Sequence, residues 1–192
     1  MRFTGRNIFS GGKEMDVTII RHFPTDWNES GFLQGKRDIP ISLPLTKQNQ
    51  AKMEENKQKL QQLQPFDDVL VSQLIRTHQT AKIYGYTDVK VEPLLDELDF
   101  GLFEGKKREE LNRIYAECAV SPLTLTLGEP LVRFQERIFE FLNKYAHKRS
   151  LLLFGHGSWA RALTSIEKVG SIQMMNQFEI KNNELITLHI NV

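Results

Sequence analysis

The sequence predicts an α/β sandwich built on a mainly parallel sheet with a mixed edge, and three observations predict it. Short apolar or β-branched runs (DVTII at 16–20, DVLV at 68–71 and SLLLF at 150–154) have the length and composition of buried strands. Stretches with helical spacing lie between them, and strands alternating with helices form parallel pairs with helices covering the sheet. Two extended pieces at the end of the chain, residues 178–180 and 185–192, flank Asn182-Asn183 and read as a terminal hairpin that supplies the mixed edge.

Each element has its own signal. After the first strand comes a polar loop punctuated by Pro24, Gly31, Gly35, Pro40 and Pro44. Thr46 is then a fitting N-cap for a polar surface helix over residues 47–64, which Pro65 ends. Residues 76–84 have helical character and stop near Gly85, and residues 89–91 form a short extended piece. A further helix is expected over 106–118, with Leu111, Ile114 and Tyr115 on one face. Residues 131–145 form the clearest amphipathic helix, with Phe134, Ile138, Phe141, Leu142 and Tyr145 at helical spacing. A last helix is expected over 158–169.

The chain has 192 residues, 40% hydrophobic and 26% charged, which suits one domain of residues 15–192 behind a loose polar tail of residues 1–14. A net charge of +1 gives no reason to expect a nucleic-acid partner. No run approaches the roughly 18 apolar residues of a membrane span. Cys118 is the one cysteine, so no internal disulfide can form, and a reducing, cytoplasmic location is the simpler expectation. It stands in no recognisable motif and reads as a packing residue.

In parallel sheets ligands bind beyond the carboxyl ends of the strands. Arg21-His22 follows DVTII, Ser72 and Arg76 follow DVLV, and Gly155-His156-Gly157 follows SLLLF. Two histidines and two arginines at three strand ends that the fold should bring together make a pocket for a tetrahedral anion. Arginine donates in a fixed fork that matches phosphate oxygens. There is no GxxxxGK[ST] loop and no metal-ligand cluster at these ends, so neither a metal nor a cofactor is expected and charge neutralisation would fall to the arginines.

These residues carry a resemblance. IIRHFPTDWN (19–28), LQGKRDIP (33–40), Ser72 with Leu74, Arg76 and Gln79-Thr80-Ala81, ELDFG followed by FEG (97–105), and FGHGSWARAL (154–163) resemble, in order, the motifs of the histidine phosphatase superfamily. The nearer match is its phosphoglycerate mutase-like branch. The resemblance implies a three-layer α/β/α fold and a phosphomonoesterase acting on a small phosphorylated metabolite. His22 would be the phosphate acceptor and Glu97 the proton donor and later base, with Arg21, Arg76 and His156 holding phosphoryl oxygens. Thr25, Asn28, Gln34 and Gly35 would complete the phosphate and substrate contacts. From the residues themselves, Arg21 and Arg76 should keep His22 neutral by like-charge repulsion. Its other ring nitrogen should donate to a backbone carbonyl.

Glu104 rivals Glu97 for the proton; if Glu97 serves, Asp99 and Glu104 are structural. His78, His147, His189, Trp27 and Trp159 read as packing or surface residues. The chain departs from the family pattern at Phe23, where glycine is usual, leaving the ring either to narrow the pocket or to face the core. It also departs in the short segment between Tyr115 and Glu129, where Leu123, Leu125 and Leu127 suit either an apolar lid or a strand facing the core. A short apolar lid disfavours a mutase, which must retain a charged bisphosphate. The alternatives are therefore a phosphoglycerate mutase-type phosphotransferase and a non-catalytic module that binds a phosphorylated ligand.

Overall fold

The β-branched runs form the centre of a five-stranded sheet in the computed structural model, which describes residues 12–114 and 122–191. The expectations placed on Tyr115, on Cys118 and on most of the N-terminal tail lie outside the described residues. The strands are β1 (Glu14–Arg21), β2 (Asp68–Val71), β3 (Lys90–Val91), β4 (Ser150–Gly155) and β5 (Leu185–Asn191), in the order β3-β2-β4-β1-β5. The first four pair in parallel, and β5 runs antiparallel to β1. Glu14, expected in the tail, belongs to β1 because β5 extends the ladder to Glu14 opposite Asn191.

Alternation along the strands sends side chains to two cores. Val17 and Ile19 of β1 and Leu151 and Leu153 of β4 meet helices α5 (Leu131–Tyr145) and α6 (Gly157–Val169) on one face. Ile20, Val71, Leu152 and Phe154 face the other side, where Leu60 of α2 (Lys47–Leu63) and Ala81 of α3 (Ile75–Ile83) pack. Three layers result. Strands so buried on both faces read as continuous apolar runs. The α5 boundaries agree with the periodicity, and Phe134, Ile138, Phe141 and Leu142 are fully buried. At the start of α2 the Thr46 hydroxyl accepts from the Asn49 N–H at 3.2 Å. This helix buries only Asn56 and Leu60, as its sparse apolar pattern requires.

Three expectations need correction. Residues 178–180 form no strand, so there is no terminal hairpin. β5 takes β1 as its partner, and the Ile180 carbonyl turns to the Arg21 guanidinium (Nη1–O 2.7 Å). The mixed edge therefore comes from the β1–β5 pairing. The helix expected from 106 begins only at Arg108 (α4, Arg108–Ile114). Lys106 sits in a bend with its carbonyl accepting from the Leu33 N–H, and Lys107 forms a bridge with Phe32. Finally, Leu123, Leu125 and Leu127 form no strand. They lie in and after a 3₁₀ turn (Pro122–Thr124), half-buried against the α5 side of the core.

Candidate active site

Because β2, β4 and β1 are parallel neighbours, their carboxyl ends lie side by side. Arg21 stands opposite Gly155 in the ladder, and the His22 N–H donates to the Gly155 carbonyl at 3.0 Å. The rings of His22 and His156 meet edge-on with centroids 5.4 Å apart. Arg76, in the first turn of α3, donates from Nε to His156 Nδ1 at 3.3 Å. Three segments distant in sequence thus share one buried point: His22 is 3%, Arg76 1% and His156 0% exposed.

His22 Nδ1 lies 2.7 Å from the Phe23 carbonyl. A carbonyl can only accept, so Nδ1 carries the proton and the lone pair is at Nε2. Burial, with Arg76 and Arg21 adding like-charge repulsion, holds His22 well below the usual histidine range. His156 is held low in the same way, by burial first and then by Arg76, His22 and Arg21. Its Nδ1 accepts from Arg76, which leaves the proton on Nε2, 2.7 Å from the Ser72 hydroxyl oxygen. Both of its ring nitrogens are engaged, so a phosphoryl oxygen would have to replace one of these contacts.

The arginines are clamped from behind by carbonyls. Arg76 donates to Gly35 O at 2.8 Å and to Arg37 O at 2.7 Å, and Arg21 to Ile180 O. Arg21 Nε is buried and has no partner. Burial lowers both guanidinium groups to about 10, offset in part by the charge of Glu97. The loop of residues 34–38 therefore positions Arg76 through its backbone, and Gly35 takes part by its carbonyl. Gln34 is buried beside it with Oε1 unpartnered.

Glu97 is bound at the His156 end of the cluster, and Glu104 is turned to the 34–38 loop, where its charge still acts on Arg76. The Glu97 carboxylate accepts from the backbone N–H groups of Leu98 (2.9 Å), Ser158 (2.9 Å) and Trp159 (3.2 Å). It caps the first turn of α6, whose own N-cap residue, His156, makes no side-chain cap bond. Glu104 instead accepts from the Lys36 N–H and pairs with Arg37 at 3.2 Å, tying down the 34–38 loop. Asp99 accepts from the Gly101 N–H within its own turn. Thr25 and Asn28 form the capping box of α1 (Asp26–Glu29) and bond each other, so their polar atoms are largely spent locally.

Phe23 faces the core, 0% exposed, stacked on Tyr84 at 5.7 Å, with its N–H donated to the Thr80 hydroxyl. Its ring does not narrow the pocket. The Nε2 of His78 donates to the Ser72 carbonyl at 2.7 Å. Trp159 is buried against Phe141 and bonds Leu94 O. His189 lies on the surface beside Asp16.

Three contributors are not evident from motif spacing. Arg137 of α5 donates to Leu94 O and Asp96 O and pairs with Glu129, bracing the segment that leads into Glu97. Asn182 Nδ2 donates to the His22 carbonyl at 3.0 Å. Arg161 of α6 opens onto a cleft that Arg21 also lines. Arg137 had a visible signal, a cation on the otherwise apolar face of α5; Asn182 and Arg161 had none beyond their residue types.

The sequence model of the histidine phosphatase superfamily (branch 1) matches residues 17–191. The chain belongs to this superfamily. It is similar to "Probable phosphoglycerate mutase GpmB" of Proteus mirabilis, 30% identical over 156 residues that cover 74% of this chain and 70% of that one. It is also similar to "Uncharacterized phosphatase PhoE" of Bacillus subtilis, 31% identical over 150 residues that cover 77% of this chain and 74% of that one. Among solved structures, Rv3214 of Mycobacterium tuberculosis superposes with a TM-score of 0.76 at 23% identity, covering 90% of each chain, and shares the fold. Superfamily relatives thus bear both phosphatase and mutase names.

Proposed function

We propose that this protein is a metal-independent phosphatase that hydrolyses a phosphomonoester through a phosphohistidine on His22. One observation carries the reading: His22 is a neutral imidazole whose Nδ1 proton is committed to the Phe23 carbonyl, leaving the Nε2 lone pair in a cluster with Arg21, Arg76 and Glu97. In the first step Nε2 bonds to phosphorus and the ester P–O bond breaks, while Glu97, which takes up a proton as the phosphate dianion binds beside it, gives that proton to the leaving oxygen. In the second, water attacks phosphorus, Glu97 takes a water proton, and the P–N bond breaks to restore neutral His22. Arg21 and Arg76, already held by carbonyls, would neutralise the phosphoryl oxygens without reorganising. Glu97 must release one of its backbone donors to act. The rate of that step would depend on how phosphate competes for the α6 N–H groups. The substrate is expected to be a small phosphorylated metabolite.

A phosphoglycerate mutase-type transfer is the second reading, favoured by the name of the Proteus mirabilis relative. The binding-module reading loses its one support, since Phe23 packs in the core. The test is release of inorganic phosphate from an aryl phosphate, together with an acid-labile phosphoryl label on the protein. Both are expected to vanish in His22→Ala. Equal turnover by that variant refutes the assignment, and conversion of 3-phosphoglycerate to its isomer without phosphate release favours the mutase.

A further inference from the structure

His22 stands one residue past the end of β1, so the ladder that sets Arg21 opposite Gly155 does not extend to it. Beyond its N–H bond to Gly155, two supports hold it. Its ring is tethered through Nδ1 to the Phe23 carbonyl. Its own carbonyl accepts from Asn182 Nδ2 at 3.0 Å and from the Asn183 N–H at 3.3 Å, which also reaches the Arg21 carbonyl at 3.0 Å. The place of the imidazole therefore depends on where Phe23 and the turn of residues 181–184 sit. Both lead to Tyr84, at the end of α3. The Tyr84 ring stacks on Phe23 with centroids 5.7 Å apart and planes inclined by 26°. Its hydroxyl donates to Asn183 Oδ1 at 2.5 Å and accepts from Asn56 Nδ2 at 2.9 Å. Burial raises that hydroxyl to about 12, so it remains a donor.

We propose that Tyr84 is a positioning residue for His22: its ring sets Phe23, whose carbonyl fixes the imidazole tautomer, and its hydroxyl sets Asn183, whose N–H holds the His22 carbonyl. The inference rests on the phosphatase reading above and extends its machinery to a residue of the core behind Phe23. Asn183 is the junction. It adopts φ 58°, a left-handed conformation that asparagine tolerates better than most residues. In that conformation its N–H faces the nucleophile segment, while its Nδ2 donates to Asn49 O at 3.0 Å and its carbonyl accepts from Asn56 Nδ2 at 2.8 Å. Phe23, Asn56 and Asn183 are fully buried and Tyr84 nearly so, so water cannot replace a lost partner. Burying an amide is costly unless it is bonded, and α2 buries only Asn56 and Leu60; Asn56 is there to hold Tyr84 and Asn183. Phe23, which stands where the family usually has glycine, is the surface on which Tyr84 acts.

The experiment compares Tyr84→Phe with Ser165→Ala, at a temperature where both are fully folded. Each deletes one buried hydroxyl that donates one bond and accepts another; Ser165 lies two turns along α6 from Gly157 and bonds Ser171 O and the Met174 N–H. Misplacing a reacting group by about 1 Å can cost about 100-fold, so Tyr84→Phe is expected to lower kcat/KM for an aryl phosphate by about ten-fold. Inhibition by inorganic phosphate should stay within about two-fold of wild type, because Arg21 and Arg76 keep their own anchors. Ser165→Ala is expected to leave both quantities unchanged. If Tyr84→Phe does not fold, Asn183→Gly decides: glycine adopts the same φ freely, and the variant loses only the side-chain contacts. It should show the same ten-fold loss, roughly, with the same phosphate inhibition. An unchanged kcat/KM in the deciding variant, or an equal loss in Ser165→Ala, overturns the proposal while leaving the phosphatase reading intact. If wild type releases no phosphate from the aryl phosphate, or His22→Ala turns over equally, the phosphatase reading falls and takes this inference with it.

Discussion

Lowering the pH is expected to destabilise this protein earlier and more steeply than its carboxylates alone require, because two imidazoles are buried in neutral form. His22 and His156 are 3% and 0% exposed, and burial beside Arg76 and Arg21 depresses both. A histidine whose folded value lies below its unfolded value of about 6.5 is protonated in the unfolded chain first. Its contribution to stability is therefore complete above about pH 6.5 and is lost as the pH falls below it. Each such histidine costs up to about 1.4 kcal/mol per pH unit, so the pair approaches about 2.7. Below about pH 6.5 the loss steepens toward that limiting slope, so each further unit removes a large share of a stability of about 5–15 kcal/mol. The assay is urea unfolding at a series of pH values in phosphate-free buffer, for wild type and His22→Asn. The variant cannot take up the proton, so the pH-dependent loss is expected to be about half as steep, whatever its absolute stability. Carboxylates titrate alike in both proteins and cancel in the difference. Parallel curves for the two proteins refute the account, because they mean that His22 is not protonated preferentially in the unfolded chain.

Other substitutions test the geometry. A Cβ on Gly157 would lie 3.1 Å from both Cζ and Nε of Arg21, so Gly157→Ala is expected to shift the guanidinium and lower kcat/KM by about ten-fold, with unchanged far-UV circular dichroism. Glu97→Gln is expected to lower kcat by about 100-fold or more while Glu104→Gln lowers it far less, measured on one aryl phosphate; equal losses would reverse their roles. Glu104→Gln should instead reduce thermal stability, by releasing Lys36 and Arg37. Tyr84→Phe removes the hydroxyl that bonds Asn183 at 2.5 Å and Asn56 at 2.9 Å, and is expected to cost about 1–3 kcal/mol in urea unfolding.

What was legible in the sequence was whatever local pattern encodes. The β1, β2 and β4 runs are mostly apolar because both faces of the sheet are covered, and α5 shows its boundaries because one face alone is buried. Reactive residues directly after parallel strands then converge without further information, which is why His22, Arg76 and His156 could be grouped. Tertiary structure decided the rest, because each outcome depends on partners far along the chain. Phe23 turns to the core because Tyr84 and Thr80 await it there. Residues 178–180 leave the sheet because Arg21, some 160 positions earlier, takes the Ile180 carbonyl. Glu97 is distinguished from Glu104 because the N-terminal turn of α6, about 60 residues later, holds its carboxylate in the cluster. Arg108 and Arg161 look like ordinary surface cations until the fold places both on the cleft beside Arg21. Periodicity reports how much of a side chain is buried, not against what; only the assembled chain brings together the charges and hydrogen-bond partners that give a buried polar group its role.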